Sequence, residues 1–487
     1  MVNSRALIKI LGSAALTAGW IATYTSFPTY QQPPIDQDQN EEEYEGGIVK
    51  KFFIDEQGRH FIPHGFVTVT EDGVGPVYYT LKDYERMVRL GANFQVIRLR
   101  LGKLGGWPGY ELQNDYLEQL DNMVNLGKKV GLKTCFKLTV YGIEGFRWDD
   151  LWCNKENQEL LINAWKVIWE RYKNESSVIA YDLINEPYRG SIESYEVCER
   201  DYLVPLYRRL IDEMHAISPD KYAFYQPLLR DKDDPNRPED PFVEMKTPIN
   251  RERIVYAPHI YEYNLERIKP TLDRYQREAA LSNARICIGE WGPSTSREAD
   301  TDLDEQHRFR KIYVATAKEL DARGIGHVKA WFTGSRGWHS GNTWSIFRDD
   351  AAVGTVERKY IVDVIARPRP LVIAGRIERY GFNFATREFE MTFIPNSTLG
   401  PSEIYVPVNR HYPDGFQLVY ITTNSKLTLA YDENSPTGFR VIERSGEVNP
   451  ELFRWDAETL HIIVERWTGG EETATLKILP GYGRIKE

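Results

Sequence analysis

The sequence predicts an α/β protein, a (β/α)8 TIM barrel followed by a small C-terminal β-sandwich. Between residues 61 and 332, eight short apolar runs alternate with segments of helical pattern. Such alternation indicates a parallel sheet that is buried on both faces. After Arg367-Pro-Arg-Pro370 the pattern changes to short alternating strands that are separated by turn residues, which is typical of a β-sandwich.

The N-terminal segment precedes both predicted domains. Arg5 and Lys9 stand before an apolar run, Ile10–Ala22, whose length suits a secretion signal better than a membrane span. No clear small-residue cleavage motif follows, so residues 1–26 are expected to be a signal peptide or an N-terminal anchor. Residues 27–47 are rich in Pro, Gln and acidic residues and are expected to be a linker. We therefore expect a secreted, periplasmic or cell-surface protein.

Residues 48–366 are predicted to form the barrel. Its first helix, Thr80–Leu90, opens on a threonine and an acidic first turn and stops at Gly91. A doubly wound open sheet is the alternative, but no glycine-rich phosphate turn follows the first strand. The eight strands are expected at Phe61–Val67, Phe94–Leu99, Leu132–Leu138, Val178–Ile184, Tyr222–Gln226, Ile254–Pro258, Arg285–Gly289 and His327–Phe332.

Residues 367–487 are predicted to form the sandwich. No Gly- or Ser-rich linker separates it from the barrel. Its strands also contain apolar residues that must be buried, such as Tyr405, Tyr420 and Trp455. We therefore expect the two domains to share an interface. The strands are expected at Phe389–Pro395, Glu403–Val408, Gln417–Thr423, Leu427–Tyr431, Phe439–Glu443, His461–Glu465 and Ala474–Leu479.

Charge and cysteine usage exclude some partners. The formal net charge of -10 gives no electrostatic reason to bind nucleic acid. The cysteines have no metal-ligand spacing, so neither a metal nor a cofactor is expected. Cys135 and Cys287 lie in apolar runs and are expected to be buried thiols. Cys153 and Cys198 lie in polar segments and are candidates for a disulfide.

Two glutamates follow strands that face each other across the predicted barrel. Glu186 comes after the fourth strand and Glu290 after the seventh. The active site of such a barrel lies at the C-terminal ends of its strands, so the two carboxyl groups can straddle one bond. Glycoside hydrolysis needs such a pair: one protonates the leaving oxygen, and the other attacks the anomeric carbon when the two are about 5–5.5 Å apart. The pattern predicts Glu186 as acid/base and Glu290 as nucleophile.

The segments around these glutamates resemble the two central motifs of glycoside hydrolase family 5, in a clan of retaining β-glycosidases. They are Asn185-Glu186-Pro187 and Gly289-Glu290-Trp291-Gly292. The resemblance covers roughly residues 48–366. It implies hydrolysis of a β-glycosidic bond by double displacement.

The same resemblance implies five substrate-binding or supporting residues. Arg98 resembles the strand-two arginine that pairs with the nucleophile and keeps it ionised. His259 and Tyr261 resemble the strand-six pair, with the tyrosine hydroxyl directed at the nucleophile. Trp331 resembles the strand-eight tryptophan beneath the sugar, and Asn185 is expected to hold the 2-hydroxyl group of the sugar being cleaved.

Strand three departs from the family pattern. Family members usually carry a histidine near its end, where this chain has Lys137 or Thr139. This departure affects the expected contacts to the substrate but not the carboxylate pair. The Pro-rich joint, Ile373-Ala-Gly375 and the strand Phe389–Pro395 resemble the endoglycoceramidase and glucosylceramidase branch.

Three functions are compatible with these patterns. The first is hydrolysis of a glycolipid or a related β-glucoside, which would also bring the protein to a membrane surface. The second is an endo-β-glucanase or mannanase acting on polysaccharide, and the third is a sugar-binding protein without catalysis. The third is disfavoured because both glutamates and their supporting residues are present. The loops that would form the site wall hold Trp107, Trp148, Trp152, Trp338 and Trp344, which suits either enzyme.

Overall fold

The computed structural model describes residues 53–237, 241–333, 343–348, 353–467 and 472–481. The expected signal segment and linker, and Trp338, lie outside these residues. Export through residues 1–26 therefore stays a prediction, as do the domain limits.

The strands of the described residues are given in chain order. They are β1 (Phe53–Ile54), β2 (His60–Phe61), β3 (His64–Val69), β4 (Phe94–Arg100), β5 (Lys133–Thr139), β6 (Val178–Asp182), β7 (Tyr222–Tyr225), β8 (Ile254–Tyr256), β9 (His259–Ile260), β10 (Arg285–Trp291), β11 (Gly326–Lys329), β12 (Arg369–Ile373), β13 (Gly375–Phe382), β14 (Phe389–Pro395), β15 (Ser402–Tyr405), β16 (Phe416–Thr422), β17 (Ser425–Tyr431), β18 (Phe439–Ser445), β19 (Phe453–Asp456), β20 (His461–Val464) and β21 (Ala474–Pro480).

The described residues also form α-helices, numbered in chain order. They are α1 (Leu81–Arg89), α2 (Asn114–Lys129), α3 (Trp148–Cys153), α4 (Lys155–Tyr172), α5 (Tyr195–Cys198), α6 (Val204–Ile217), α7 (Leu265–Leu281), α8 (Leu303–Arg323), α9 (Lys359–Ile365) and α10 (Val408–His411). None of the helices in the described part of the chain is long and apolar enough to cross a bilayer.

Strands β3 to β8, β10 and β11 form a closed parallel barrel, because β11 pairs with both β10 and β3. The short β9 pairs with β10 just beyond β8. The predicted fold class is thus confirmed. The bounds predicted for the first strand are wrong: β3 begins at His64, whereas Phe61 lies in β2 and pairs with β12. Pro63 separates the two strands and has no N–H to donate to a ladder.

Helix α1 shows how the sequence sets local structure. Thr80 is its N-cap, and the Thr80 N–H donates to the Asp83 carboxylate at 2.7 Å. The helix ends two residues before Gly91, which has a φ of +83°. A Cβ at Gly91 would lie 2.6 Å from the ring of Tyr405. Glycine is therefore required there both by the left-handed turn and by the sandwich residue that packs against it.

The C-terminal region is a sandwich of two antiparallel sheets. Their strand orders are β1-β2-β12-β15-β20-β19 and β13-β14-β21-β16-β17-β18. The two inner faces share one apolar core, which includes Phe393, Leu418, Tyr420 and Trp467. Strands β12, β13 and β19 were not predicted, and the hairpin β1–β2 adds residues from before the barrel to a sandwich sheet.

The sandwich packs on the barrel, as expected. Tyr405 is fully buried in the barrel's apolar cluster, and its hydroxyl donates to the Arg89 carbonyl at 2.7 Å. Arg410 pairs with Glu357 at 2.7 Å and with Asp363 at 2.8 Å. These contacts join the first barrel helix and the last barrel segment to the sandwich.

The cysteines are free thiols. Cys135, Cys198 and Cys287 are buried, and Cys153 is exposed. The structure therefore contradicts a disulfide between Cys153 and Cys198.

Candidate active site

The two predicted catalytic glutamates lie at the same end of the barrel and are joined by a path of polar contacts. His259 Nδ1 lies 2.8 Å from Glu186 Oε1. His259 Nε2 lies 3.1 Å from Lys137 Nζ, which donates to Glu290 Oε1 at 3.0 Å. Side chains from β5, β9 and β10 and from the loop after β6 therefore converge on one site.

Glu186 is held by its backbone as well as by its side chain. Its φ is 45°, in the left-handed region that a non-glycine residue rarely occupies. Its N–H donates to Gln226 Oε1 at 2.9 Å, and the Gln226 amide donates to both oxygens of Asp182 at 2.9 and 2.8 Å. This network stabilises a strained turn of the kind that clusters at functional sites.

Glu290 is only 5% exposed. Burial by itself raises the pKa of this carboxyl, but the charges of Lys137 and Arg98, the neighbouring His259 ring and the hydrogen bond from Tyr261 outweigh it and hold the pKa well below its ordinary value. The carboxyl group is therefore ionised at neutral pH, as a nucleophile must be.

Tyr261 is the second donor to Glu290, through a short hydrogen bond to the Oε2 atom. Burial, and then the charges of Glu290 and Glu186, raise the pKa of Tyr261 well above its ordinary value. Its hydroxyl therefore keeps its proton. The ring packs edge-on against Trp344, with centroids 4.8 Å apart.

Arg98 and Trp331 form the wall beside Glu290. The guanidinium lies 5.0 Å from the Trp331 ring centre and 5.2 Å from that of Tyr141. Within the described residues the ion-pair partner of Glu290 is Lys137. Arg98, expected to pair with the nucleophile, acts on its charge through space.

Asn185 lies next to Glu186 and is 6% exposed. Its Oδ1 atom is buried and has no hydrogen-bond partner in the described structure. A buried acceptor without a partner is costly, and a sugar hydroxyl group would satisfy it. The expected contact of Asn185 with the 2-hydroxyl group fits this geometry and stays a prediction, as do the roles of the other site residues.

Sequence reasoning missed Asp182 and Gln226, and it noted Lys137 only as the residue in place of a histidine. A signal was present for two of them, because Lys137 and Asp182 each interrupt an apolar strand run. A charge in a buried strand must be paired. Lys137 Nζ lies 3.5 Å from Asp182 Oδ2, and both side chains are almost fully buried.

The arrangement defines a class of protein, since paired carboxyl groups at the ends of strands four and seven of a (β/α)8 barrel form a glycosidase-type site. The family model described as Cellulase (glycosyl hydrolase family 5) matches residues 54–334, and the glycoside hydrolase family 5 C-terminal domain matches residues 367–476. The chain belongs to glycoside hydrolase family 5. The predicted resemblance is confirmed, and the prediction of a glycoside hydrolase is confirmed at the level of the family.

Individual relatives agree with this family. Endoglycoceramidase I of Rhodococcus hoagii (strain 103S) is 25% identical over 63% of this chain and 61% of its own length. Endoglycoceramidase of Cyanea nozakii is 23% identical over 55% and 53%. The chain thus spans between half and two thirds of these relatives. The solved structure of endo-glycoceramidase II from Rhodococcus sp. has a TM-score of 0.64 at 19% identity, covering 89% of this chain and 100% of that one.

Proposed function

We propose that the protein is a retaining β-glycosidase that acts by double displacement, with Glu290 as nucleophile and Glu186 as acid/base. The observation that carries this proposal is the path from Glu186 through His259 and Lys137 to Glu290. It places an ionised carboxylate and a second, hydrogen-bonded carboxyl group in one site, and retaining glycosidases need that pair.

In the first step Glu290 attacks the anomeric carbon while Glu186 gives its proton to the glycosidic oxygen. The bond to the aglycone breaks, and the sugar becomes an ester of Glu290. In the second step Glu186 takes a proton from water, the water oxygen attacks the anomeric carbon, and the ester bond breaks. Both catalytic groups return to their starting states.

The protein architecture supports each charge change in this sequence. Glu290 loses its charge when the ester forms and regains it on hydrolysis. Lys137 and Tyr261 hold the carboxylate as it leaves the sugar. Donors that are already aimed at a charge need no reorganisation during the reaction.

We propose a glycolipid as the substrate class. The named relatives are endoglycoceramidases. The chain also has a wall of half-buried aromatic side chains near the acid/base, with ring centroids 5.1 Å apart for Phe146 and Trp148 and 6.3 Å apart for Trp148 and Tyr188. Tyr188 follows Glu186 by two residues, and the aglycone leaves on the side of the acid. An apolar wall there suits a lipid aglycone.

The rim of the same barrel face supports contact with a lipid surface. Val74 is 66% exposed and Tyr78 is 75% exposed, in the loop after β3. Clustered exposed apolar side chains mark interaction surfaces. Others lie in the loops after barrel strands, or open the helices that follow them: Leu81, Leu112, Tyr141, Tyr263, Leu265 and Leu303.

The test is hydrolysis of a panel: a glycosylceramide in mixed micelles, a soluble cello-oligosaccharide and a manno-oligosaccharide, with products identified by mass spectrometry. We expect cleavage of the glycosylceramide, and Glu290→Gln is the matched inactive control. Cleavage of the oligosaccharides alone would replace the glycolipid proposal by a polysaccharide hydrolase. Binding without turnover of any β-glycoside would indicate a sugar-binding protein and contradict the catalytic proposal.

A further inference from the structure

Lys137 is a buried cation between the two catalytic carboxyl groups, and its side chain has no exposed surface. Its ammonium group has three hydrogens to donate. Its Nζ atom lies 3.0 Å from Glu290 Oε1, 3.1 Å from His259 Nε2 and 3.3 Å from the Gly289 carbonyl oxygen, and each of these atoms can accept a hydrogen bond. The Asp182 carboxylate, 3.5 Å away, adds a second negative charge.

The protonation of Lys137 follows from these neighbours. Burial lowers the pKa of this amine, but the carboxylates of Glu290 and Asp182 outweigh burial and raise it overall. The nearby thiols of Cys135 and Cys287 have pKa values raised by burial and carry no competing charge. Lys137 is therefore an ammonium ion at neutral pH.

An ammonium ion can only donate, so His259 Nε2 must be the acceptor of its contact with Lys137. A ring nitrogen that accepts carries no hydrogen, which leaves the hydrogen of His259 on Nδ1. A doubly protonated ring would direct its Nε2–H at the ammonium group 3.1 Å away. Lys137 therefore selects the neutral ring with hydrogen on Nδ1.

The orientation of Glu186 follows in turn. The His259 Nδ1–H donates to Glu186 Oε1 at 2.8 Å. When Glu186 carries the proton that its acid role requires, the oxygen that accepts this bond is the carbonyl-like one, because the hydroxyl oxygen is the weaker acceptor. The proton therefore resides on Oε2.

We propose that Lys137 is a positioning residue, which fixes His259 as a neutral Nδ1–H donor and so places the catalytic proton of Glu186 on Oε2. This proposal rests on the proposed function, because it assigns the proton of the same acid/base. One cation thus serves both carboxyl groups: it stabilises the charge of Glu290 directly and orders the proton of Glu186 through His259.

The first test is a spectroscopic one. In protein labelled with ¹⁵N-histidine, the shifts of the two ring nitrogens distinguish Nδ1–H, Nε2–H and the doubly protonated ring. The chain has 9 His, so the signal is assigned by its loss in His259→Gln. We expect neutral Nδ1–H in the wild type. In Lys137→Met, which keeps most of the side-chain length without the charge, we expect Nε2 to gain a hydrogen, because the ammonium group that made it an acceptor is gone.

The second test is the pH profile of kcat/KM. In Lys137→Met the acid limb should move to higher pH, because Glu290 loses its cation. The alkaline limb should move as well, because His259 is no longer held as the Nδ1–H donor to Glu186. With a dinitrophenyl glycoside, whose leaving group needs no proton, only the acid limb should move.

Lys329→Met is the matched control. Lys329 is also fully buried in the barrel, but its side-chain nitrogen donates to the carbonyls of Ala330 and Trp344. Its replacement should leave the His259 signal unchanged. An Nε2–H ring in the wild type, or a His259 signal and pH limbs that Lys137→Met does not move, would overturn the proposal. If no glycoside is turned over, the proposed function fails, while the nitrogen shifts still decide the state of His259.

Discussion

Tyr405 tests whether the sandwich stabilises the barrel. The side chain leaves a sandwich strand and is fully buried in the barrel's apolar cluster, where its hydroxyl donates to the last carbonyl of α1. Tyr405→Ala removes both the ring and the hydrogen bond. Tyr405→Phe removes the hydrogen bond alone and is the matched control.

The expected loss in the free energy of unfolding follows from these contacts. Truncation of a fully buried aromatic side chain to alanine costs about 3–5 kcal/mol. The hydrogen bond adds about 1 kcal/mol. We therefore expect Tyr405→Ala to lower the free energy of unfolding by about 5 kcal/mol, and Tyr405→Phe to lower it by about 1 kcal/mol.

The assay is urea unfolding of the full chain, followed by tryptophan fluorescence and by far-UV circular dichroism. If the interface couples the two domains, both probes should show one transition at a lower midpoint in Tyr405→Ala. A loss below about 1 kcal/mol would refute the reasoning. Two separate transitions, of which only the sandwich transition moves, would also refute it.

Further predictions concern the proposed catalytic groups, a buried acid and the sandwich. Glu290→Gln should lower kcat by at least about three orders of magnitude with unchanged circular dichroism; near-normal turnover would exclude it as nucleophile. Glu186→Ala should accumulate the glycosyl-enzyme on substrates with good leaving groups, and azide should restore turnover with a β-azide product; an α-azide product would contradict a retaining acid/base role. Burial is the main cause that raises the pKa of Glu278 from 4.5 to about 7. The folded state therefore binds this proton more tightly than the unfolded state does. The protonated carboxyl group adds about 3 kcal/mol at most to the free energy of unfolding. This contribution is complete below pH 4.5 and is lost as the pH rises through about 7. Glu278→Gln should flatten this part of the stability profile, and an unchanged slope in urea unfolding would contradict the assignment. Truncation after residue 366 should lower solubility and melting temperature; a soluble barrel with unchanged melting and activity would show that the sandwich is independent.

The sequence predicted those parts of the fold whose pattern is local. The barrel strands read as apolar runs because both faces of a parallel barrel are buried. The hairpin β1–β2 could not be assigned to the sandwich, because its partner β12 follows more than 300 residues later. Strand β12 was missed because Pro370 within it indicates a turn, yet it pairs with Ile404. Such pairings depend on tertiary contacts that no local pattern encodes.

The candidate site also has a part that the sequence could predict and a part that it could not. Glu186 and Glu290 could be predicted because each comes at or just past the end of an apolar strand run, and strand ends meet at one face. The partner of Glu290 could not, because Arg98 and Lys137 are both cations on neighbouring strands. Only the packed interior shows that Lys137 makes the ion pair while Arg98 lies over Trp331. The link from Asp182 through Gln226 to the backbone of Glu186 likewise needs the ends of β6 and β7 to meet in space.

The most direct test of the central claim is to trap the covalent intermediate. A 2-deoxy-2-fluoro-β-glycoside with a good leaving group should slow the second step more than the first. Intact-mass spectrometry should then show the addition of one fluoroglycosyl group, and peptide mapping should locate it on Glu290. Turnover that proceeds with no adduct, with an adduct on another residue, or with release of the α-anomer as first product would contradict the account.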